Sequence, residues 1–167
     1  MELDQKAKES MQWFAIYGAV AAAAETLVSK LAASWFMSSV NIGGYNIALG
    51  QTFSFGGIVN SAVWGAVSGA IFGWVLSKYY SQIIGFTSKY LGKYMDNLFK
   101  LLFYPYVVAF LLSALGAGAT TLFGGSAGLA LLVSFAGTLA IRYFFAKMLV
   151  AKIGQYYPAV TSASTGV

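Results

Sequence analysis

Four long stretches with almost no charged residues limit the possible folds of this chain more than any other feature. The stretches lie at about residues 11–40, 55–77, 103–122 and 127–150. A helix needs about 20 apolar residues to cross a bilayer, and each stretch reaches that length. In lipid, a helix satisfies its backbone hydrogen bonds within one segment. The sequence therefore predicts an all-α membrane protein, a bundle of about four transmembrane helices in the lipid bilayer.

The composition agrees with a lipid environment. Of the 167 residues, 59% are hydrophobic and only 9% are charged, whereas a soluble domain usually carries about 25% charged residues. The length fits a single transmembrane domain, which we place at residues 1–152. We predict that residues 153–167 form a disordered C-terminal tail because they are rich in small and polar residues.

The lysines indicate how the chain crosses the membrane. Most of them precede the first stretch, follow the second or lie near the end of the fourth: Lys6, Lys8, Lys78, Lys89, Lys93, Lys100, Lys147 and Lys152. Basic residues concentrate on the cytoplasmic side of membrane proteins. We therefore expect the termini and the central connector in the cytoplasm and the chain in the cell membrane. The lysines form no basic domain, so they indicate anionic lipid rather than nucleic acid as the partner.

The first stretch has a competing interpretation. Residues 13–24 resemble the apolar core of a signal peptide, with small residues that suit cleavage. The segment before them carries Glu2, Asp4 and Glu9 and is not positively charged overall. A signal peptide normally begins with a positively charged region. We therefore expect this stretch to remain as the first span.

The connector between the second and third stretches has a helical pattern of its own. Over about residues 88–102, Lys89, Lys93 and Lys100 fall on one face, and mainly apolar and aromatic side chains occupy the rest. This pattern predicts an amphipathic helix in the cytoplasmic interface, with its lysines toward the lipid headgroups. A solvated connector is the alternative. Pro105 should start or bend the third span because proline donates no backbone hydrogen bond.

The second stretch contains small residues at every fourth position. These residues are Ser61, Gly65, Gly69 and Gly73. Small residues at this spacing share one helix face and let another backbone approach closely. The pattern, a glycine zipper, predicts helix packing. The face serves either the bundle itself or contact with a second copy or a larger complex.

Glu25 is the acidic residue inside the first stretch. It lies about 18 Å along the helix from Trp13, near the expected middle of the bilayer, where a carboxylate needs a partner or a function. We expect its polar neighbours within the membrane to be Ser29, Lys30 and Arg142. Glu25 is then a structural link between the first and fourth helices, an ion or proton carrier, or a contact to a partner subunit.

The residue types needed for most enzyme mechanisms are missing from the sequence. It contains no Cys and no His, which removes zinc sites, iron–sulfur clusters and His-ligated haem. Gly125-Ser126-Ala127-Gly128 only resembles the Gly-x-Ser-x-Gly nucleophile motif. We expect no catalytic residue, no cofactor and no metal site.

These features lead to one functional prediction and one alternative. We predict a non-catalytic, multi-pass membrane protein that is an accessory or structural subunit of a larger membrane complex, or a homo-oligomer. Its partner is then another membrane protein or a copy of itself. The alternative is a small channel or transporter that uses Glu25 with Arg142 or Lys30.

Overall fold

Four long helices account for most of the chain. The computed structural model describes the backbone of residues 4–36, 40–42, 45–47, 55–91, 97–122 and 126–158, and side chains within those ranges. The helices are α1 (Gln5–Phe36), α2 (Phe55–Leu91), α3 (Leu98–Leu122) and α4 (Ser126–Ile153). Within the described residues, all four are long and apolar enough to cross a membrane.

The helices pack in the order α2, α1, α4, α3. Helix α1 lies between α2 and α4, and α3 packs against α4. The contact between α1 and α2 is the most extensive of these three. Bulky apolar side chains such as Leu112 and Val63 are exposed on the outer faces. An apolar exterior of this kind suits lipid as the surrounding solvent.

Helix α2 is longer than the predicted second span. It continues from residue 77 to Leu91 without a break, which adds about 21 Å at 1.5 Å per residue. Residues 88–91 of the predicted interfacial helix belong to α2, and residues 98–102 belong to α3. The structure thus divides that segment between two helices. Residues 92–96, including Lys93, lie outside the described residues.

Helix α3 begins before the predicted third span because Asn97 caps it. The Asn97 side-chain oxygen Oδ1 accepts a hydrogen bond of 2.9 Å from the backbone nitrogen of Lys100. Asparagine is a preferred N-cap because its side chain satisfies a free N–H of the first turn. Pro105 lies inside the helix, where it cannot donate to the carbonyl of Leu101. Of the two predicted alternatives, Pro105 does not start the span, and a bend at this residue stays a prediction.

A short β-hairpin lies in the segment between α1 and α2, which contains no charged residue. Strands β1 (Val40–Ile42) and β2 (Tyr45–Ile47) are antiparallel, with Ile42 paired with Tyr45. In the sequence, Gly43-Gly44 separates the two strands. A Gly-Gly pair between β-branched or aromatic residues is typical of a two-residue hairpin. The hairpin is an addition to an otherwise helical fold.

The beginning of the predicted disordered tail is ordered. Residues Gly154–Tyr156 form a 3₁₀ turn after α4, and the side chains of Ile153 and Tyr157 are buried. Both join an apolar cluster with residues of α1, α2 and α3, among them Phe14, Ile84 and Leu98. Burial of these large side chains favours order. The prediction of disorder is wrong for residues 153–158, and residues 159–167 lie outside the described residues.

Candidate functional site

A charged pair joins α1 to α4 between their ends. Arg142 donates a hydrogen bond of 2.8 Å from Nη2 to Oε2 of Glu25, and its Nε contacts the second carboxylate oxygen, Oε1. The guanidinium fork therefore meets both oxygens, the bidentate geometry that is the strongest form of this pair. The side chains of Arg142 and Glu25 are only 12% and 19% exposed. Each charge is neutralised by the other.

Two tyrosine rings lie against the guanidinium group of Arg142. Its central carbon is 4.5 Å from the ring centre of Tyr106 on α3 and 5.3 Å from that of Tyr17 on α1. A cation at this distance from a ring is attracted by the negative face of the π system. The hydroxyl of Tyr17 is shielded from solvent and lies within hydrogen-bond reach of Arg142, and its own hydrogen has no acceptor among the described residues. Residues of three helices thus form one polar cluster.

The polar cluster lies in a cleft between α2 and α3. The cleft has a volume of about 830 Å³, within the range of roughly 300–1,000 Å³ that is typical of ligand pockets. Its walls carry apolar side chains such as Trp64 and Phe72 of α2 and Leu101 of α3. Tyr17, Tyr106 and Arg142 lie together in its lining, and Ser61 and Ser68 contribute two further hydroxyl groups. The cleft is therefore an apolar space with one polar region.

The cleft exists because α2 packs on α1 rather than on α3. Glycines of α2 lie against the α1 backbone: a Cβ built on Gly69 would overlap the carbonyl of Phe14, and one on Gly73 would lie 2.6 Å from the carbonyl oxygen of Ser10. On α1, Gly18 is equally close to Gly65. Only residues without a side chain permit this approach. These glycines therefore contact another helix of the same chain.

The remaining intramembrane residues singled out in the sequence take separate positions. Ser61 donates to the carbonyl of Gly57 in its own helix and also lines the cleft. Ser29 is 2.8 Å from the hydroxyl of Ser134 on α4. Lys30 lies on α1, five residues after Glu25, and has no place among the cleft-lining residues. Of these residues, Arg142 and Glu25 are brought together as a charged pair.

A second polar contact ties the C-terminal segment to the beginning of α1. The hydroxyl of Tyr157 is 2.6 Å from that of Ser10, and both side chains are buried. Tyr80 of α2 donates to the carbonyl oxygen of Pro158 at 3.1 Å. Burial raises the pKa of the Tyr157 phenol above its ordinary value, so the group remains neutral at physiological pH. This contact holds three elements together at one end of the bundle.

The described lysines near the helix ends collect at that same end. Lys6 lies 4.8 Å above the ring of Tyr157, and Lys152 lies 5.3 Å from the ring centre of Trp13. Lys89 is in the last turn of α2 and Lys100 is in the first turn of α3. The antiparallel arrangement of neighbouring helices brings these segments together. One end of the molecule therefore carries these four lysines together with Asp4 and Glu9 near the beginning of α1.

The sequence patterns missed the roles of the tyrosines. Tyr17 and Tyr106 are two of 11 tyrosines in the sequence, and nothing in their local context distinguishes them from the others. No spacing rule connects them with Arg142, because the three residues lie on different helices. Ser10 and Tyr157 are 147 positions apart. Only the folded chain brings such residues together.

No family model, curated protein or solved structure matches this chain. Among the described residues there is also no group of three or more His, Cys, Asp or Glu side chains that could hold a metal ion. Its function is therefore inferred from its own residues and their geometry.

Proposed function

We propose that this protein is a non-catalytic, multi-pass membrane subunit that gives structure to a larger membrane assembly. The observation that carries the proposal is the bidentate pair between Glu25 and Arg142. A carboxylate with both oxygens held by a guanidinium is poorly suited to exchange protons or ions, because releasing it would leave an unpaired charge inside the bundle. The pair acts as a link between α1 and α4.

The other described polar groups support a structural role. Hydroxyl groups of Ser61, Ser68 and Thr26 donate to carbonyls in their own helices, and those of Ser10 and Tyr157 contact each other. Nucleophilic catalysis needs a hydroxyl next to a general base. These hydroxyls have no such neighbour, so we propose that the protein is not an enzyme and needs no cofactor.

The partner in this proposal is another membrane protein or a second copy of the chain. Bulky apolar side chains on α3, including Leu111, Leu112 and Leu115, are more than half exposed. Among the described residues, the main contact of helix α3 is with α4, so much of its surface is available to lipid or to a partner helix. A subunit that joins an assembly would use such an outer face.

Cross-linking of single cysteines tests the assembly directly. The sequence has no Cys, so one introduced thiol is the only reactive site. A short bifunctional thiol reagent should join Leu112→Cys in native membranes to itself or to a second protein, while Ala21→Cys, fully buried in the bundle, should stay uncoupled. Native mass spectrometry after mild detergent extraction should show a defined oligomer or heteromer. A lone monomer in both measurements contradicts the proposal.

We also propose that the lysine-rich end faces the cytoplasm of a cell membrane. The gathering of Lys6, Lys89, Lys100 and Lys152 at one end of the bundle supports this orientation. The ends of α2 and α3 there would lie at the headgroup interface, as proposed for residues 88–102. An impermeant thiol reagent outside the cell should label Phe55→Cys but not Gln155→Cys. The opposite pattern would reverse the topology.

A small channel or transporter is the second candidate because Arg142 lines an open cleft. In that case the Glu25 carboxylate would have to release Arg142 during the transport cycle. Glu25→Gln separates the two functions, since glutamine can still hydrogen-bond but cannot carry a proton. Under the structural proposal the variant assembles normally and proteoliposomes show no carboxylate-dependent flux. Proton flux in wild-type vesicles that Glu25→Gln abolishes would favour the transporter.

A further inference from the structure

We infer that the cleft between α2 and α3 binds an uncharged lipid whose polar end carries an acceptor oxygen, such as an ester or ketone carbonyl. The inference goes beyond the structural role proposed above and does not depend on the presence of a partner subunit. It rests on the shape of the cleft, the hydrogen-bond donors in it, its charge and its depth along the helices.

The shape and lining of the cleft suit an apolar chain. The cleft holds about 830 Å³ and is bounded on two sides by α2 and α3. Its walls are formed largely by side chains such as Trp64, Phe72 and Leu101, and Trp64 is 66% exposed. Ligand sites of this size are usually apolar with a few polar groups that fix orientation. A lipid can enter such a cleft from the bilayer without crossing water.

The polar region of the cleft offers donors that the protein does not use. Arg142 directs its Nε and Nη2 groups at Glu25. Of the five N–H groups of a guanidinium, the carboxylate takes two, and another lies within hydrogen-bond reach of the Tyr17 hydroxyl, so two remain. The Tyr17 hydroxyl is buried, and its own hydrogen has no acceptor among the described residues. A buried O–H without an acceptor is costly, and an oxygen of a ligand whose entry exposes the group would accept its hydrogen bond.

The charge and depth of the polar region select an uncharged ligand. Glu25 already neutralises Arg142, so a phosphate or carboxylate would add an uncompensated charge. Tyr17, Tyr106 and Arg142 also lie well inside the candidate spans Gln5–Ala32, Leu98–Gly116 and Gly128–Tyr156. A charged headgroup at that depth is unfavourable, whereas an ester or ketone carbonyl needs only a donor.

Photolabelling of the full-length chain in phosphatidylcholine vesicles tests this inference. The probe is a diacylglycerol with a diazirine in one acyl chain. The comparison probe is a phosphatidic acid with the same chains. We expect the diacylglycerol to label peptides that contain Trp64 and Leu101 severalfold more than the phosphatidic acid does. Equal labelling of these peptides by both probes, or stronger labelling by phosphatidic acid, overturns the inference.

Two variants locate the ligand within the cleft. Ser68 is exposed and lines the cleft, so Ser68→Trp should fill the space and remove the labelling. Val67→Trp is the matched control. Val67 is adjacent to Ser68 and exposed, but it does not line the cleft. Tyr17→Phe keeps the ring beside Arg142 and removes only the hydroxyl. It should lower diacylglycerol labelling at subsaturating probe by about three- to tenfold.

The remaining outcomes also decide the matter. Ser68→Trp should abolish labelling by a diazirine-bearing alkane without oxygen, and Tyr17→Phe should leave that labelling unchanged. The comparison with diacylglycerol isolates the contribution of the hydrogen bond. Diacylglycerol labelling that neither variant changes contradicts the inference. Cross-links from the cleft to a second polypeptide in place of lipid would show that a partner helix occupies it, and they would overturn the inference while supporting the proposed assembly.

Discussion

Helix α1 contacts its two neighbours through opposite chemistry. Toward α2, glycines bring the two backbones into contact, as at Gly18 and Gly65. Toward α4, polar side chains meet: Glu25 binds Arg142, and Ser29 lies 2.8 Å from Ser134. Both interfaces belong to the same helix. They differ in whether backbone shape or side-chain polarity brings the helices together.

The difference shows two ways to join helices when apolar burial contributes little. Lipid tails are as apolar as leucine, so helix association in a bilayer depends on close packing and on polar contacts. Glycines provide many weak contacts that depend on the absence of a side chain. The charged pair provides one strong contact that depends on both partners. The two interfaces should therefore respond differently to substitution.

The largest effect is expected when the polar interface loses one charge. Arg142→Leu leaves the Glu25 carboxylate without its partner and should lower the free energy of unfolding by about 3–5 kcal/mol. Glu25→Leu combined with Arg142→Leu removes both charges and should recover most of this loss. Thermal unfolding in detergent, followed by tryptophan fluorescence, measures both. A double variant no more stable than Arg142→Leu alone would mean that the cost is not an unpaired charge.

An intermediate effect is expected when the glycine interface gains one methyl group. Gly69→Ala places a Cβ in the position of the Phe14 carbonyl and should destabilise the protein by about 1–3 kcal/mol through overpacking. Gly85→Ala is the matched control on the same helix, because nothing lies within 4 Å of its built Cβ. The control should stabilise α2 by up to about 1 kcal/mol. Effects of the same sign at both positions would contradict the close contact between α1 and α2.

The smallest effect is expected at the end of the bundle, where the contact joins two uncharged hydroxyl groups instead of two charged groups. Tyr157→Phe leaves the buried Ser10 hydroxyl without its partner and should cost about 1–2 kcal/mol. The double variant Ser10→Ala with Tyr157→Phe removes both hydroxyls and should be closer to the wild type. Equilibrium unfolding of the three variants in one detergent gives the coupling energy. Strict additivity would show that the two hydroxyls do not interact.

The sequence predicted the helices better than their limits. Four apolar stretches were enough to place four helices, because helices in lipid need only length and low charge. The limits of α3 depended on the cap at Asn97, a residue that we had placed within an interfacial helix. The ordered segment from Ile153 to Pro158 depends on burial of Ile153 and Tyr157 against other helices, which composition does not report.

The candidate site was predictable only in part. Glu25 and Arg142 stand out in the sequence because charges are rare in apolar stretches. The same rarity leaves few residues of opposite charge with which each could pair. Tyr17 and Tyr106 belong to a sequence with 11 tyrosines, so nothing in their spacing distinguishes them. The cleft itself depends on which helices are neighbours, and no local pattern encodes that order.

Hydropathy and charge along the chain determined four membrane-length helices and the grouping of lysines in particular connectors. A helix surrounded by lipid must be apolar whichever other helices it contacts. The tertiary structure alone decided that α1 lies between α2 and α4, that Arg142 reaches Glu25, and that α2 and α3 stand apart around a cleft. These features depend on shape and on pairs of residues far apart in the chain. A pattern confined to one helix carries neither kind of information.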